Sequence, residues 1–230
     1  VTGTNGKTST AKLIERVLSG TQRETRLAGK VDCPVGDAVD GSKELDYLIL
    51  AVNSFQLELT QFFSPTVAVL TNITSDHMDH YGSMAEYGKA KARMFANQQP
   101  FDWAIIQSEA LAQIRSIGIE IPSKIITFSS SNRRADISLD RGLIVSRVPG
   151  WEGPLLDFNE CQLQGAHNAE IIMAALAVGR VLRIPLEQSA LVLRNHPALP
   201  HRCEIVAEIG GVRYINDSRS TNLAALEKSL

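Results

Sequence analysis

Four short runs, Tyr47 to Val52, Val67 to Leu70, Trp103 to Ile106 and Ile125 to Phe128, are apolar almost throughout. A strand with one wet face alternates apolar and polar residues; a strand covered on both faces does not. The helical patterns between these runs supply the covers. Over Lys7 to Ser19, residues Leu13, Ile14, Val17 and Leu18 share one face, and Gly20 can end the helix. Ser83 opens a second helix, predicted to run to about Asn97, with Ser83 and Glu86 as a capping box. Asn168 to Leu182 is a third, rich in alanine and aliphatic residues. The alternation predicts an α/β fold, a mostly parallel sheet flanked by helices.

Two pairs of runs break the alternation. Ile137 to Leu139 and Leu143 to Val145 flank Asp140-Arg141-Gly142 and read as a hairpin. Glu204 to Glu208 and Val212 to Ile215 flank Gly210-Gly211 and read as another, followed by a helix starting near Asn222. Composition changes at Asn195-His196-Pro197, which places an expected domain boundary near residue 200: one domain over 1–199, the start of a further α/β domain over 200–230.

With 230 residues, 44% of them hydrophobic, the chain has a core to build. A net charge of −2 without single-sign runs argues against a nucleic-acid or acidic-membrane surface. No apolar stretch reaches the roughly 18 residues that span a bilayer, and no export leader is visible. Cys33, Cys161 and Cys203 are too scattered for a disulfide framework or zinc knuckles, so reduced, buried thiols in a cytoplasmic protein are expected.

Gly3-Thr4-Asn5-Gly6-Lys7-Thr8 has the logic of a phosphate loop. Glycines turn backbone N–H groups toward one anion, the following helix adds its positive end, Lys7 reaches phosphate oxygens and Thr8 offers a hydroxyl to Mg²⁺. Val1 stands where the usual eight-residue spacing wants glycine, and a plain glycine turn before a helix is the competing reading. Glu58 reads by itself as a solvated charge on a short helix. Asp76-His77-Met78-Asp79-His80 packs four potential ligands into five residues and reads either as a metal cluster or as a polar loop. Lys91, with Lys89 and Arg93 nearby, reads as surface charge.

The compressed Thr2-Gly3-Thr4-Asn5-Gly6-Lys7-Thr8 resembles the ATP loop of the Mur ligases and folylpolyglutamate synthetases. Further segments resemble the same family in order: Asn53 to Glu58, Thr71 to Tyr81, Tyr87 to Lys91, Gly165 to Asn168, Pro200-His201-Arg202 and Asn216 to Asn222. The Ser54-Phe55-Gln56-Leu57-Glu58 core is most similar to the D-glutamate-adding branch. By that resemblance the chain is the central ATPase part of a three-domain ligase. The strand leading into the loop is then expected to be largely missing, which would leave the sheet an unpaired edge or a gap. The expected reaction is ATP-dependent amide formation between UDP-N-acetylmuramoyl-L-alanine and D-glutamate through an acyl phosphate, in peptidoglycan precursor synthesis, by a cytoplasmic monomer. Ligation by this piece alone is not expected. A nucleotide-binding module without ligase activity, or a sibling ligase of the same family, is the alternative.

The resemblance implies roles residue by residue. Gly3, Thr4, Asn5, Gly6, Lys7 and Thr8 cradle ATP, with His167, Asn168, Arg202 and Asp217 also at the nucleotide. Thr8, Glu58, His77 and a carbamylated Lys91 serve two Mg²⁺ ions. Lys7, Glu58, His77, Lys91 and Arg202 carry the catalysis. Departures from the family pattern are Lys30 and Asp32 in Ala28 to Pro34, Ala51, Ile171 where an asparagine near adenine is expected, His80, and Arg219 in place of lysine.

Overall fold

The computed structural model describes residues 1–21, 23–29 and 33–227. Lys30 and Asp32 lie outside them. The elements in chain order are α1 (Lys7–Ser19), β1 (Thr25–Ala28), α2 (Val35–Val39), β2 (Tyr47–Leu50), α3 (Ser54–Glu58), β3 (Val67–Leu70), α4 (Met84–Ala92), β4 (Trp103–Gln107), α5 (Ser108–Ser116) and β5 (Lys124–Ser129). There follow β6 (Ile137–Asp140), β7 (Leu143–Ser146), β8 (Gly153–Asp157), α6 (Ala166–Val181), α7 (Leu186–Arg194), β9 (Glu204–Ile209), β10 (Val212–Asn216) and α8 (Leu223–Glu227).

The main sheet has six strands in the order β3-β4-β5-β6-β7-β8. Its first four run parallel; β6, β7 and β8 pair antiparallel. Three of the four uniformly apolar runs are β3, β4 and β5 of this sheet, where Ala68, Leu70, Ala104, Ile105, Ile106 and Phe128 are fully buried; the fourth, Tyr47 to Val52, holds β2, which lies outside it. One core, under α1 and α6, takes Leu13, Val17, Ile105 and Ile172. The other, under α4 and α5, takes Leu70, Tyr87, Ile106 and Ile114. Helices on both faces therefore explain why alternation is absent from these strands.

β1 and β2 form a separate parallel pair. Residues 1–2 lie between it and the main sheet: Val52 N–H donates to Val1 O, Thr2 N–H to Val69 O and Thr71 N–H to Thr2 O. The loop of Gly3 to Gly6 thus leaves from between two parallel strands, at their C-terminal ends, where ligands of such sheets sit.

The β6–β7 hairpin forms as expected. Arg141 (φ 51°) and Gly142 (φ 84°) are both left-handed, the requirement of a two-residue turn matched to strand twist. The expected β9–β10 hairpin is present too, as a sheet of its own. Two local readings need correction. α4 stops at Ala92 and a 3₁₀ turn, Arg93–Phe95, replaces the continuation to Asn97. The Ser83 hydroxyl accepts from Glu86 N–H, but the Glu86 carboxylate accepts from Gly82 N–H, one residue before the position a capping box requires. The three cysteines are free as expected, but only Cys161 is buried.

Candidate functional site

The loop is held from below by polar side chains at the end of β3. Asn5 N–H donates to Asn72 Oδ1 at 2.8 Å, and Thr71 Oγ1 and Asn72 Nδ2 donate to Asn5 O at 2.6 and 3.1 Å. The Thr4 hydroxyl donates to Thr74 O at 3.1 Å, accepts from Thr74 N–H at 3.0 Å and sits 3.2 Å from the Tyr87 hydroxyl. At Gly3, φ is +148° and a Cβ would stand 2.0 Å from Thr71 Oγ1, so only glycine fits. Gly6 (φ 82°) precedes α1 and provides no side-chain cap. The first N–H groups of a 13-residue helix, Thr8 in its first turn, are thereby left for a ligand.

Lys7 folds back over this loop, with Nζ donating to Gly3 O and Thr4 O, both at 2.8 Å. Burial lowers its pKa, the Asp76 carboxylate opposes that, and Arg202 adds to it. Lys7 is therefore no exposed loop lysine. Its ammonium is parked on two carbonyls in reach of charges on both sides of the loop.

On one side stands Lys91. It is 1% exposed, so the surface-charge reading is wrong. Its Nζ lies 4.2 Å from the centre of the Tyr87 ring. Burial, reinforced by Lys7 and opposed by Asp76, pulls the Lys91 pKa down to about 7. Burial also pushes the Tyr87 hydroxyl up to about 12. His77 (φ 56°) packs edge-on against Phe55 with ring centres 5.0 Å apart, and its Nε2 lies 3.8 Å from Asp76 Oδ2. Glu58 ends α3, and His80 Nε2 lies 3.5 Å from its Oε2. α3 itself is fixed by a full capping box, Asn53 with Gln56, each bond 2.9 Å.

No three His, Cys, Asp or Glu side chains converge as a metal group among the described residues. The donor chemistry suits Mg²⁺ in one form only. Glu58 brings hard oxygens and His77 a nitrogen, whereas an ammonium at Lys91 repels a dication and a carbamate there would bring oxygens.

On the other side a cleft of about 680 Å³ opens between the loop, the start of α6 and residues 198–225. His167, Asn168, Arg202 and Asp217 line it together with Asn5, Gly6 and Ile171. Glu58, His77 and Lys91 are not among its walls. Asn168 Nδ2 donates to Gln164 O at 2.8 Å. Asp217 accepts from Cys203 N–H at 3.0 Å and from the Ser220 hydroxyl. The Arg202 guanidinium is depressed by burial and by Arg219, with Asp217 opposing. Ile171, where a polar residue is expected, packs an aliphatic side chain beside Gly6.

Three contributors had no role assigned from sequence. Asp76 faces Lys7 and Lys91 electrostatically and accepts from Asn222 Nδ2 at 3.0 Å. Tyr87 joins Thr4 to Lys91. Asn222 also pairs its side-chain amide with that of Asn5, both contacts 3.1 Å, tying the start of α8 to the loop. All three fall inside the motifs that carry the family resemblance, which was the available signal.

The chain is similar to curated proteins named UDP-N-acetylmuramoylalanine–D-glutamate ligase. That of Pelotomaculum thermopropionicum is 39% identical over all of this chain and half of its own length. That of Desulfitobacterium hafniense is 36% identical over all of this chain and 51% of its own. The chain thus spans about half the length of the curated relatives it matches. Among solved structures, MurF from Acinetobacter baumannii aligns with TM-score 0.75 at 20% identity, over 99% of this chain and 51% of that one. MurF ligase from Thermotoga maritima in complex with ADP aligns with TM-score 0.75 at 17% identity, over 100% of this chain and 55% of that one. These two share the fold. The family model for the Mur ligase middle domain matches residues 1–179. With the glycine loop, the buried lysine beside it and the doubly covered sheet all in place, the chain belongs to the Mur ligase family.

Proposed function

We propose that this chain is the nucleotide-binding centre of an ATP-dependent ligase that joins D-glutamate to UDP-N-acetylmuramoyl-L-alanine. The observation that carries the reading is the pair Lys7 and Lys91 around one loop held by hydrogen bonds. Lys7 exchanges its two carbonyl partners for phosphate oxygens, while the loop N–H groups and the start of α1 receive the phosphates. The substrate carboxylate takes the γ-phosphoryl group of ATP and ADP leaves; the D-glutamate amine then attacks the acyl phosphate, gives up a proton, and phosphate leaves. Arg202 brings a planar fork of donors to the phosphates from the far side of the cleft. Thr8, Glu58, His77 and Lys91 would hold two Mg²⁺ ions, which would supply positive charge to the phosphoryl oxygens.

A pKa of about 7 makes much of Lys91 a neutral amine near neutral pH, the form that attacks CO₂. The amine forms an N–C bond, one proton leaves, and a carbamate anion remains. His167, Asn168 and Asp217 are proposed at the nucleotide, residues 200–227 as the opening of the next domain, and a cytoplasmic monomer as the working state. The names of relatives at 33–39% identity support the choice of D-glutamate and of the sugar substrate.

The test uses a chain extended to the length of its relatives, assayed for amide formation from ATP, the UDP-sugar and D-glutamate. Product is expected. Lys91→Ala should remove activity by at least about 100-fold, and formate, but not methylamine, should restore part of it. Rescue by methylamine alone would show Lys91 working as a cation. Absence of product, or product formed only with another amino acid, would overturn the assignment.

A further inference from the structure

Residues 201–227 rest on the remainder of the chain through one side chain. Their hairpin is wet: Ile205, Ile209 and Val212 are each more than half exposed, and α8 buries no residue. Among the described residues, every hydrogen bond between 201–227 and 1–198 ends on the Asn222 side-chain amide. Its Nδ2 donates to Asn5 Oδ1 at 3.1 Å and to Asp76 Oδ2 at 3.0 Å. Its Oδ1 accepts from Asn5 Nδ2 at 3.1 Å and from Ala225 N–H at 2.9 Å. Two donated and two accepted bonds use all that an asparagine side chain offers. The segment it holds is tied together around Arg202. Arg219 N–H donates to His201 O at 3.2 Å, Cys203 N–H donates to Asp217 Oδ1 at 3.0 Å, and Asn216 Nδ2 lies 2.9 Å from His201 Nδ1. His201 (φ 64°) and Cys203 (φ 49°), on either side of Arg202, are both left-handed, a backbone that such ties must maintain. Arg202 and Asp217 therefore reach the cleft from a unit whose polar hold on the loop is Asn222.

We propose that Asn222 is a latch: it fixes the position of Arg202 over the phosphate loop without touching a phosphate itself. The inference rests on the nucleotide reading of the cleft. Asn222 is a positioning residue, and it acts through Arg202. Its pairing with Asn5 is reciprocal, each amide giving one hydrogen and taking one, so it specifies register as well as contact. The second donor, on Asp76, keeps the amide from turning over, because a turned amide would set oxygen against carboxylate. Asn222→Ala removes all four bonds. Asn222→Asp loses both donors and sets a carboxylate against Asn5 Oδ1 and Asp76 Oδ2, so it should release the segment more completely. Neither change touches the buried core, since residue 222 lies outside it.

The test is a double-mutant cycle: Mg²⁺-ATP binding by calorimetry to the 230-residue chain, to Asn222→Ala and Asn222→Asp, and to each of these three with Arg202→Ala added. With Arg202 present, Asn222→Ala should weaken binding about tenfold and Asn222→Asp further. With Arg202→Ala, neither change at 222 should weaken it by more than about twofold, because there is no guanidinium left to position. Trp103 and Trp151 are the two tryptophans of the chain and both belong to the main sheet and its loops, so their fluorescence in urea follows that part alone. Its unfolding midpoint should be the same in the parent and in Asn222→Ala. A lower midpoint would make the role of Asn222 structural and overturn the latch. So would parent-like ATP affinity in Asn222→Ala, or the same loss whether or not Arg202 is present, and either result would leave the phosphate loop standing. Failure of the parent to bind ATP would instead overturn the nucleotide reading, and the latch with it.

Discussion

Gly3 and Lys91 are the two positions where a single atom or a single proton decides the outcome. Adding one carbon at Gly3 drives it into Thr71 Oγ1, itself bonded to Asn5 O, and against the Asn72 backbone. Gly3→Ala is expected to cost about 2–4 kcal/mol, read as a lower denaturation midpoint. Lys91 works through its proton. Its folded pKa of about 7 lies below the ordinary 10.5, so between those values the unfolded chain binds more protons and stability rises with pH. Below pH 7 the folded state carries the buried ammonium at full cost. Lys91→Met in carbonate-free buffer should therefore stabilise the chain by about 1–3 kcal/mol at pH 7 or below, with the gain shrinking toward pH 10. A gain independent of pH, in urea titrations across that range, would contradict the buried-ammonium account. The sequence showed where Lys91 stands in its motif but not its burial. Lys89 and Arg93 beside it read as surface, and only the packing of α4 against α3 and α5 reveals which of the three cations points inward.

At the scale of elements, strands were the most legible and short helices the least. Val67–Leu70 is bounded as its run of apolar residues implies, because both faces are covered and nothing polar can intrude. β8, α5 and α7 carried weaker patterns and emerge only once their neighbours fix which face is buried. α3 has five residues, too few for periodicity to register, and its stability comes from its cap. Asn53→Ala should cost about 1 kcal/mol and loosen the orientation of Glu58. Amide-exchange protection at Gln56 and Leu57 measures that directly; unchanged protection would mean that packing of Leu57, not the cap, holds α3.

Over the whole molecule, the loop stands between two sets of groups that do not share a cavity. Lys91, His77 and Glu58 lie on one side and Arg202, Asp217 and Asn168 on the other, with Lys7 electrostatically linked to both Lys91 and Arg202. The motif order gave the members of each set. Their division could not be read from order, because residues 4 and 87, or 5 and 222, meet only through the fold. A loop so placed can take phosphate from the cleft and present it to chemistry on the Lys91 side, provided Lys7 leaves its carbonyls. The direct test is a calorimetric titration of the chain and of Lys7→Ala with Mg²⁺-ATP. One-to-one binding weakened at least about 100-fold by the substitution is predicted, together with a loss of about 1–2 kcal/mol of stability for the two loop hydrogen bonds. Equal ATP affinity in the two proteins would contradict the assignment of this loop to phosphate.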